Sequence, residues 1–530
     1  MIKVPDLFFN SFYFRYQKGK INPAPFFVGV ACLLAIGACD RQPDFQARCE
    51  AMSSENLPGV TVSAATVITD REDLPGFCQI QGTIDPSIGF EARFPLADWN
   101  GKYYQSGCGG YCGMVLPDKP GFSNTINEAL KLGYAAITTD SGHTASMGDP
   151  SWAKDDAEAV ELYGHRAIPL TYQAGTALIE AFYNTPSSRE YFSGCSNGGR
   201  MAAITAQRYP QLFDGILGGA GVLNLSQSGG IYGSWVVQSN TDEQGNRILT
   251  WENFGAKIPL LEKEVIAQCD AVDGVADGII AAPRQCTVDF EALPGCGLES
   301  ADRCFTEAEI DVLRAWYQGP RNSKGEQLQP GMPPGGERYV GFWFLDSADR
   351  IAIGNQLGGG YAKYLGFEGG TPDDYTVLDF DFDTDPPRLT KTAEVVDALD
   401  PDLRKFRDAG GKYLMWHGWG DALVLPDQSL DYYESVAAKM GGYDAIQSFY
   451  RLFLMPGHGH CWEVPADVPD RFDPISTLDQ WVETGRAPEQ IIATAFDPKA
   501  AAATKIALCP HPAMATKLDP DAGGNYCTAD

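Results

Sequence analysis

The segment 194–198, which reads GCSNG, is the feature of this sequence that most restricts its fold. It follows a short strand-like run at 190–193 and precedes a helix-forming stretch at 200–208. A G-x-S-x-G sequence in this context is typical of a sharp strand-to-helix turn, which lifts the serine hydroxyl above a sheet. The N–H groups that begin the following helix would face a developing oxyanion. The context predicts that Ser196 is a nucleophile; a glycine turn with a solvated serine is the alternative.

Strand-like and helical segments alternate in two parts of the chain, 40–223 and 400–530. This alternation predicts the α/β class with a largely parallel sheet. The segment between them, 224–399, is rich in glycine, proline, aromatic and acidic residues and shows no such alternation, which indicates an inserted lid. The expected strands are 101–105, 135–139, 190–193, 412–416 and 450–454, and 168–183 has helical periodicity.

A serine nucleophile requires a general base and a carboxylate that orients the base. After a turn of this kind, the order along the chain is serine, then acid, then histidine. Asp421 follows the expected strand at 412–416, where the acid belongs, and Asp427 is a weaker candidate.

Four histidines follow Ser196: His417, His458, His460 and His511. His417 precedes Asp421 and would give the wrong order. His458 and His460 share one turn directly after the strand expected at 450–454, where the base belongs. The order therefore predicts Asp421 as the acid and leaves two candidates for the base.

The beginning of the chain is typical of an export signal. A basic lead is followed by an apolar stretch at 26–38, which is too short to span a bilayer and reads as the core of a signal peptide. Residues 36–39 (IGAC) resemble a bacterial lipobox. We therefore expect 1–39 to be a signal for the periplasm, the cell envelope or the exterior. Two alternatives are open for Cys39. It is either the lipidated N-terminus of the mature protein, which would be the one expected membrane contact, or it lies near an ordinary cleavage site.

An oxidising compartment predicts that the twelve cysteines after residue 39 form disulfides. Five pairs are close in sequence: Cys49–Cys78, Cys108–Cys112, Cys269–Cys286, Cys296–Cys304 and Cys509–Cys527. Cys195, directly before Ser196, and Cys461, directly after His460, are left over. If these two pair, the bridge holds nucleophile and base in register and favours His460 over His458.

Cys195-Ser196, Asp421 and His460-Cys461 resemble the CS-D-HC signature of the tannase and feruloyl esterase family, which also contains a hydrolase of mono(2-hydroxyethyl) terephthalate. The resemblance extends to segments 191–200, 418–421 and 451–457. It implies an α/β-hydrolase fold with a large inserted lid, and a serine esterase mechanism that uses Ser196, Asp421 and His460. It also implies an oxyanion hole formed by the backbone N–H groups of Gly110 and Asn197. The glycine-rich loop at 106–110 independently suits close approach to an oxyanion.

The segment 269–279 carries Asp270, Asp273 and Asp277 between glycines. Ca²⁺ prefers several oxygen ligands, and glycine turns can bring carboxylates and carbonyls around one point. No glutamate closes the loop as in an EF-hand, and a solvated acidic turn is the alternative. The resemblance implies a calcium loop in the lid and adds the carbonyls of Val275 and Ile279 as ligands. We expect a structural Ca²⁺ here.

The formal net charge of −29 argues against a nucleic-acid partner, because phosphate binding requires a basic surface. The resemblance implies hydrolysis of a small-molecule aromatic ester, such as a feruloyl or galloyl ester. In the terephthalate monoester hydrolase, the stretch that corresponds to segment 354–360 carries an arginine that binds the substrate carboxylate. Segment 354–360 of this chain contains no arginine, although Arg350 and Lys363 lie nearby in sequence. Two roles are open for six aromatic residues of the lid, lining a pocket or packing in the lid core: Tyr339, Phe342, Trp343, Phe344, Tyr361 and Tyr364.

Three alternatives to this function stay open at the level of sequence. The first is an enzyme that is specific for terephthalate-type monoesters. An envelope binding lipoprotein on a non-catalytic hydrolase scaffold is a second alternative, which the intact order of Ser196, Asp421 and His460 disfavours. An acyltransferase or peptidase with the same three residues is the third.

Overall fold

The computed structural model describes residues 44–118, 125–297, 303–461, 468–495, 505–515 and 527–528. The expected signal segment 1–39, with Cys39, lies outside these residues. Within the described ranges, no helix combines the length and apolar character that crossing a bilayer requires.

A nine-stranded mixed sheet forms the centre of the fold, in the order β1-β2-β3-β5-β4-β6-β7-β8-β9. Its strands are β1 (Val60–Ile68), β2 (Phe77–Ile84), β3 (Ile88–Pro95), β4 (Lys102–Ser106), β5 (Ala135–Thr139), β6 (Arg189–Cys195), β7 (Gly215–Gly219), β8 (Lys412–Gly418) and β9 (Tyr450–Met455). Five short strands lie outside it: β10 (Pro469–Arg471), β11 (Ile491–Ala495), β12 (Lys505–Leu508), β13 (Met514–Ala515) and β14 (Cys527–Thr528).

Strands β4 to β9 pair in parallel, as the alternation of segments predicts. Strands β1, β2 and β3 are antiparallel, and β3 also pairs with β5 in antiparallel fashion. The connections at 69–76 and 85–87 explain this difference from a purely parallel sheet, because a parallel crossover needs a dozen residues or more.

Helices cover both faces of the sheet. The α-helices of the described residues, including those of the segment between β7 and β8, are α1 (Phe45–Ala51), α2 (Asn127–Lys131), α3 (Ala157–Glu161), α4 (Ala167–Tyr183), α5 (Asn197–Arg208), α6 (Leu225–Gln227), α7 (Gly233–Ser239), α8 (Trp251–Phe254), α9 (Ile258–Cys269), α10 (Glu307–Gln318), α11 (Val340–Trp343), α12 (Ile353–Gly360), α13 (Thr390–Val396), α14 (Arg404–Ala409), α15 (Asp427–Met440), α16 (Tyr443–Ile446) and α17 (Pro474–Thr484).

Alternating side chains of the central strands enter two different cores. In β6 and β7, Phe192 and Ile216 join the core under α4 and α5, whereas Tyr191 and Leu217 join the core under α17. Successive side chains of a strand point to opposite faces of a sheet, so strands that are buried on both faces read as continuous apolar runs. This pattern fixes β6, and with it the serine at its end, in the middle of the molecule.

The segment between β7 and β8 builds its own apolar core, which includes Phe254, Leu261 and Trp316. In this segment α7 and α12 cross closely, because a Cβ on Gly233 would lie only 2.6 Å from Cα of Gly358. From Phe45 onward the chain forms one compact unit. The parallel sheet, the helices on both faces and this insertion together make an α/β-hydrolase fold with a lid.

Candidate active site

Ser196 occupies the sharp turn between β6 and α5. Its backbone is in the left-handed half of conformational space, with φ 61° and ψ −123°, which is uncommon for a residue other than glycine. The flanking glycines are required for space: a Cβ on Gly194 would lie 2.6 Å from the Gly198 backbone, and one on Gly199 would lie 2.3 Å from the carbonyl oxygen of Gly219. The sequence thus forms the strained turn that exposes a nucleophilic serine.

His460 and Asp421 form a buried pair. Nδ1 of His460 lies 2.7 Å from Oδ2 of Asp421, and both side chains are almost completely buried. The other carboxylate oxygen of Asp421 accepts the N–H groups of Leu423 (3.0 Å) and Val424 (2.8 Å). Because Nδ1 of His460 donates to a fixed carboxylate, Nε2 is the nitrogen left to accept a proton.

The charge state of Asp421 is suited to orienting a histidine. Burial by itself would raise the pKa of Asp421, but the charge of His460 and hydrogen bonds from His417 and His460 hold this pKa below that of an ordinary carboxyl group. The carboxylate therefore stays ionised at neutral pH and stabilises the imidazolium that forms when His460 takes a proton.

His417, which its position before Asp421 excluded as the base, contacts the carboxylate of Asp421. Its Nε2 lies 3.2 Å from Oδ2 of Asp421 and 2.8 Å from the carbonyl oxygen of Val424, while Nδ1 lies 2.7 Å from Oγ of Ser429. Both neighbours of Nε2 are acceptors, so Nε2 carries the proton and donates it. The four-residue spacing of His417 and Asp421 is the only sequence signal for this contact.

The two weaker candidates have other contacts. The carboxylate of Asp427 accepts a hydrogen bond of 2.7 Å from Nε of Arg284, at the beginning of α15. His458 is buried, its ring packs 5.5 Å from the Trp416 ring, and its carbonyl accepts the N–H of Gly420. The geometry therefore favours Asp421 as the acid and His460 as the base.

All six disulfides expected from the sequence are present. The bridge between Cys195 and Cys461 brings their Cα atoms to 6.0 Å across a sequence separation of 266 residues. Because these cysteines adjoin Ser196 and His460, the bridge links the turn that carries Ser196 to the loop that carries His460.

The loop after β4 reaches the same pocket as the serine. Gly110 has φ +56°, and a Cβ on it would lie 2.4 Å from the carbonyl oxygen of Met147, so no side chain fits there. The disulfide between Cys108 and Cys112 closes this loop around Gly110. Gly110, Ser196 and Asn197 line one pocket, as an oxyanion hole next to the nucleophile requires.

The wall of this pocket is apolar and aromatic. It is formed by Tyr111, Tyr163, Val222, Leu225, Tyr232, Val236, Phe344, Leu357, Leu423 and Val424, with several glycines and one serine, Ser228. The three tyrosine hydroxyls are already engaged, because they donate to the carbonyl oxygens of Leu357 (2.6 Å), Gly110 (3.2 Å) and Ala422 (3.0 Å), respectively. The wall therefore offers ring faces and aliphatic groups to a substrate.

Of the six lid aromatics that were candidates for the pocket wall, only Phe344 lines it. Tyr339 donates to the carbonyl of Gly457, and the Trp343 ring packs edge-on at 5.3 Å from the His460 ring, so both support the histidine loop. Phe342 is 48% exposed on the surface, Tyr361 is fully buried, and Tyr364 lines a different groove. Tyr111 and Tyr163 were missed because they lie far from the lid in sequence.

The acidic loop follows α9 and is closed by the disulfide between Cys269 and Cys286. Its carboxylates accept backbone N–H groups of the loop: Asp270 from Gly278, Asp273 from Val275 and Asp277 from Ile279. Burial and the negative charges of Asp270 and Asp273 raise the pKa of Asp277. In the described ranges, however, no three His, Cys, Asp or Glu side chains converge closely enough to hold a metal ion, and calcium stays a prediction.

Comparison with known proteins places the chain in a family. The model of the family "Tannase and feruloyl esterase" matches residues 72–519. An uncharacterized esterase of Xanthomonas campestris is 33% identical, with 91% of each chain covered, and the mono(2-hydroxyethyl) terephthalate hydrolase of Piscinibacter sakaiensis is 32% identical, with 89% of each covered. The crystal structure of feruloyl esterase B from Aspergillus oryzae shares the fold, with a TM-score of 0.76, 24% identity, and coverage of 91% of this chain and 100% of that one. The chain therefore belongs to the tannase and feruloyl esterase family and is a carboxylic ester hydrolase.

Proposed function

We propose that this enzyme hydrolyses aromatic esters through an acyl-enzyme on Ser196. The acyl group of the preferred substrate carries no charge, as in feruloyl or galloyl esters. The observation that carries this proposal is the pocket next to Ser196, whose wall includes the rings of Tyr111, Tyr163, Tyr232 and Phe344. An aromatic acyl group gains both area burial and ring-to-ring contacts in such a pocket.

The reaction uses the buried pair and the glycine loop. Oγ of Ser196 attacks the ester carbonyl while Nε2 of His460 takes the hydroxyl proton, and Asp421 stabilises the imidazolium. The oxyanion of the tetrahedral intermediate accepts hydrogen bonds from the N–H groups of Gly110 and Asn197. His460 then gives its proton to the departing alcohol. Water attacks the acyl-enzyme, again through His460, and the acid is released with Ser196 restored.

Terephthalate monoesters are the second candidate, because one relative is named for that activity. Such a substrate carries a free carboxylate, and burial of a carboxylate without a cationic partner costs several kcal/mol. Among the described residues, none that lines the pocket is charged, and neither Arg350 nor Lys363 lies there. This favours a neutral acyl group.

Turnover of four esters tests the proposal: methyl ferulate, methyl gallate, mono(2-hydroxyethyl) terephthalate and p-nitrophenyl acetate. We expect kcat/KM for one of the first two to exceed that for the terephthalate monoester by at least about 10-fold, the effect of roughly 1.4 kcal/mol. A higher kcat/KM for the terephthalate monoester would contradict the proposed acyl preference. No turnover of any ester would contradict the assignment of Ser196.

Calcium binding and export complete the proposal. The carboxylates of Asp270, Asp273 and Asp277, with the carbonyls of Val275 and Ile279, would hold a Ca²⁺ that stabilises the lid.

The six disulfides support export to an oxidising compartment. A lipid on Cys39 would anchor the enzyme to the cell envelope, and mass spectrometry of the mature N-terminal peptide distinguishes an acylated cysteine from simple cleavage.

A further inference from the structure

Arg200 is a buried cation that the proposed reaction does not use. It lies in the first turn of α5, its side chain is 0% exposed, and it forms no ion pair with a carboxylate of the described residues. Burial lowers the pKa of Arg200. Burial of a cation costs free energy unless each of its N–H donors has an acceptor. The acceptors of Arg200 therefore show which groups its side chain holds in place.

The guanidinium of Arg200 joins three segments next to the nucleophile. Its Nε donates to Oδ1 of Asn197 at 2.7 Å. Its two terminal nitrogens donate to the carbonyl oxygens of Tyr163 (3.0 Å), Gly164 (3.0 Å) and Val396 (2.7 Å). The helix that begins after Ser196 is thereby fixed to the turn at Tyr163 and to the end of α13.

The contact with Arg200 determines which way the Asn197 amide faces. Since a guanidinium only donates, it must meet the oxygen of the amide, and the NH₂ group then points to the other side. There Nδ2 donates to the carbonyl oxygen of Cys108 at 3.1 Å and lies 3.3 Å from Sγ of Cys112. These two cysteines bracket Gly110.

Gly110 is also held from its carbonyl side. Tyr163, whose own carbonyl accepts from Arg200, donates its hydroxyl to the carbonyl oxygen of Gly110 at 3.2 Å. Arg200 therefore acts on the Gly110 loop by two routes, one through the Asn197 amide and the other through Tyr163.

We propose that the Asn197 side chain and Arg200 are positioning residues of the oxyanion hole, which set the N–H of Gly110 at a fixed distance from the N–H of Asn197. This inference rests on the proposed acyl-enzyme reaction and deepens it. It assigns a role to the Asn197 side chain that is separate from the role of the Asn197 backbone.

The variant Asn197→Ala tests this role, because it keeps the backbone N–H and removes the amide bridge. An oxyanion hole acts in the transition state, so loosening it should lower kcat by about 10- to 100-fold while KM changes less than about twofold. Asn197→Asp keeps an acceptor for Arg200 but loses the donor to Cys108. It should lose kcat to a similar extent, which separates the contact with the loop from the contact with Arg200.

Asn240→Ala is the matched control. Asn240 is 1% exposed and lies in the lid at the end of α7; its Nδ2 donates to the carbonyl of Leu249, and its Oδ1 accepts from the N–H of the same residue. It does not line the pocket and does not contact the Gly110 loop through these bonds. We expect this variant to lower the melting temperature and leave kcat unchanged. Equal losses of kcat in Asn240→Ala and Asn197→Ala would show a general effect of destabilisation and overturn the proposal.

Inhibitor affinity supplies a readout that a merely structural role would not move. An aryl boronic acid forms a tetrahedral adduct with a nucleophilic serine, whereas the free aromatic acid product does not. In Asn197→Ala, the boronic acid should lose affinity in parallel with kcat, and the product acid should keep its affinity. Unchanged kcat, or equal losses for both ligands, would overturn the positioning role. An absence of ester turnover in the wild type would instead refute the proposed function.

Discussion

Removal of the disulfide between Cys195 and Cys461 should impair catalysis more than removal of any other bridge. The perturbation is the double substitution Cys195→Ala and Cys461→Ala. Alanine keeps the Cβ at Cys461, which has φ 56°, so the change adds no new backbone strain. The matched control is the pair Cys49→Ala and Cys78→Ala, because these cysteines are equally buried but lie in α1 and β2.

The two bridges differ in the chain entropy that they remove from the unfolded state. For a separation of 266 residues, the loop-closure relation gives about 5.6 kcal/mol, and for the 29 residues between Cys49 and Cys78 it gives about 3.6 kcal/mol. Both variants should therefore lose stability, and loss of the Cys195–Cys461 bridge should lower the free energy of unfolding by about 2 kcal/mol more than loss of the Cys49–Cys78 bridge.

The loss of activity should separate the variants much more clearly. Without the bridge, His460 stays hydrogen-bonded to Asp421, but its loop is no longer tied to the turn that carries Ser196. A displacement of about 1 Å between a base and its nucleophile can cost roughly 100-fold in rate. We expect kcat of the Cys195/Cys461 variant to fall by about 10- to 100-fold, and kcat of the Cys49/Cys78 variant to stay within about twofold of wild type.

Steady-state kinetics with a p-nitrophenyl ester, well below the melting temperature of both variants, measures this difference, and urea unfolding measures stability. If both variants lose stability and keep the same kcat, the bridge is a structural staple whose place next to the catalytic residues is incidental. Equal kcat losses in both would lead to the same conclusion.

Ser196→Ala should lower kcat by about 10⁶-fold without unfolding the protein, and near-normal turnover by the folded variant would exclude Ser196 as the nucleophile. We predict that Asp270, Asp273 and Asp277 bind Ca²⁺ and that its chelation lowers thermal stability more than it lowers kcat; a native protein free of calcium by elemental analysis would refute this. Burial raises the pKa of Glu337 to about 7, so the native state keeps a proton that the unfolded state releases near pH 4.5. Stability should therefore fall as pH rises from about 4.5 to 7, by up to about 3 kcal/mol, and a Glu337→Gln variant with the same pH dependence would refute the assignment.

The sequence was sufficient to predict the catalytic candidates because they depend on local context and on order along the chain. The strand, the GCSNG turn and the helix around Ser196 are contiguous, and Asp421 follows β8 as expected. The choice between His458 and His460 required the pairing of Cys195 with Cys461, which followed from elimination of the sequence-local pairs and is present in the structure.

The composition of the pocket and the orientation of its polar groups depend on segments that are remote in sequence. Tyr111 and Tyr163 meet Phe344 of the lid only after the sheet and the insertion have packed together, so no local pattern identifies them. The same holds for Asn197, whose amide has no preferred direction until Arg200 meets its oxygen. Periodicity and order along the chain thus determined the fold class and identified the catalytic candidates. Tertiary packing alone decided what surrounds these candidates, because contacts between distant segments leave no periodic signal in the sequence.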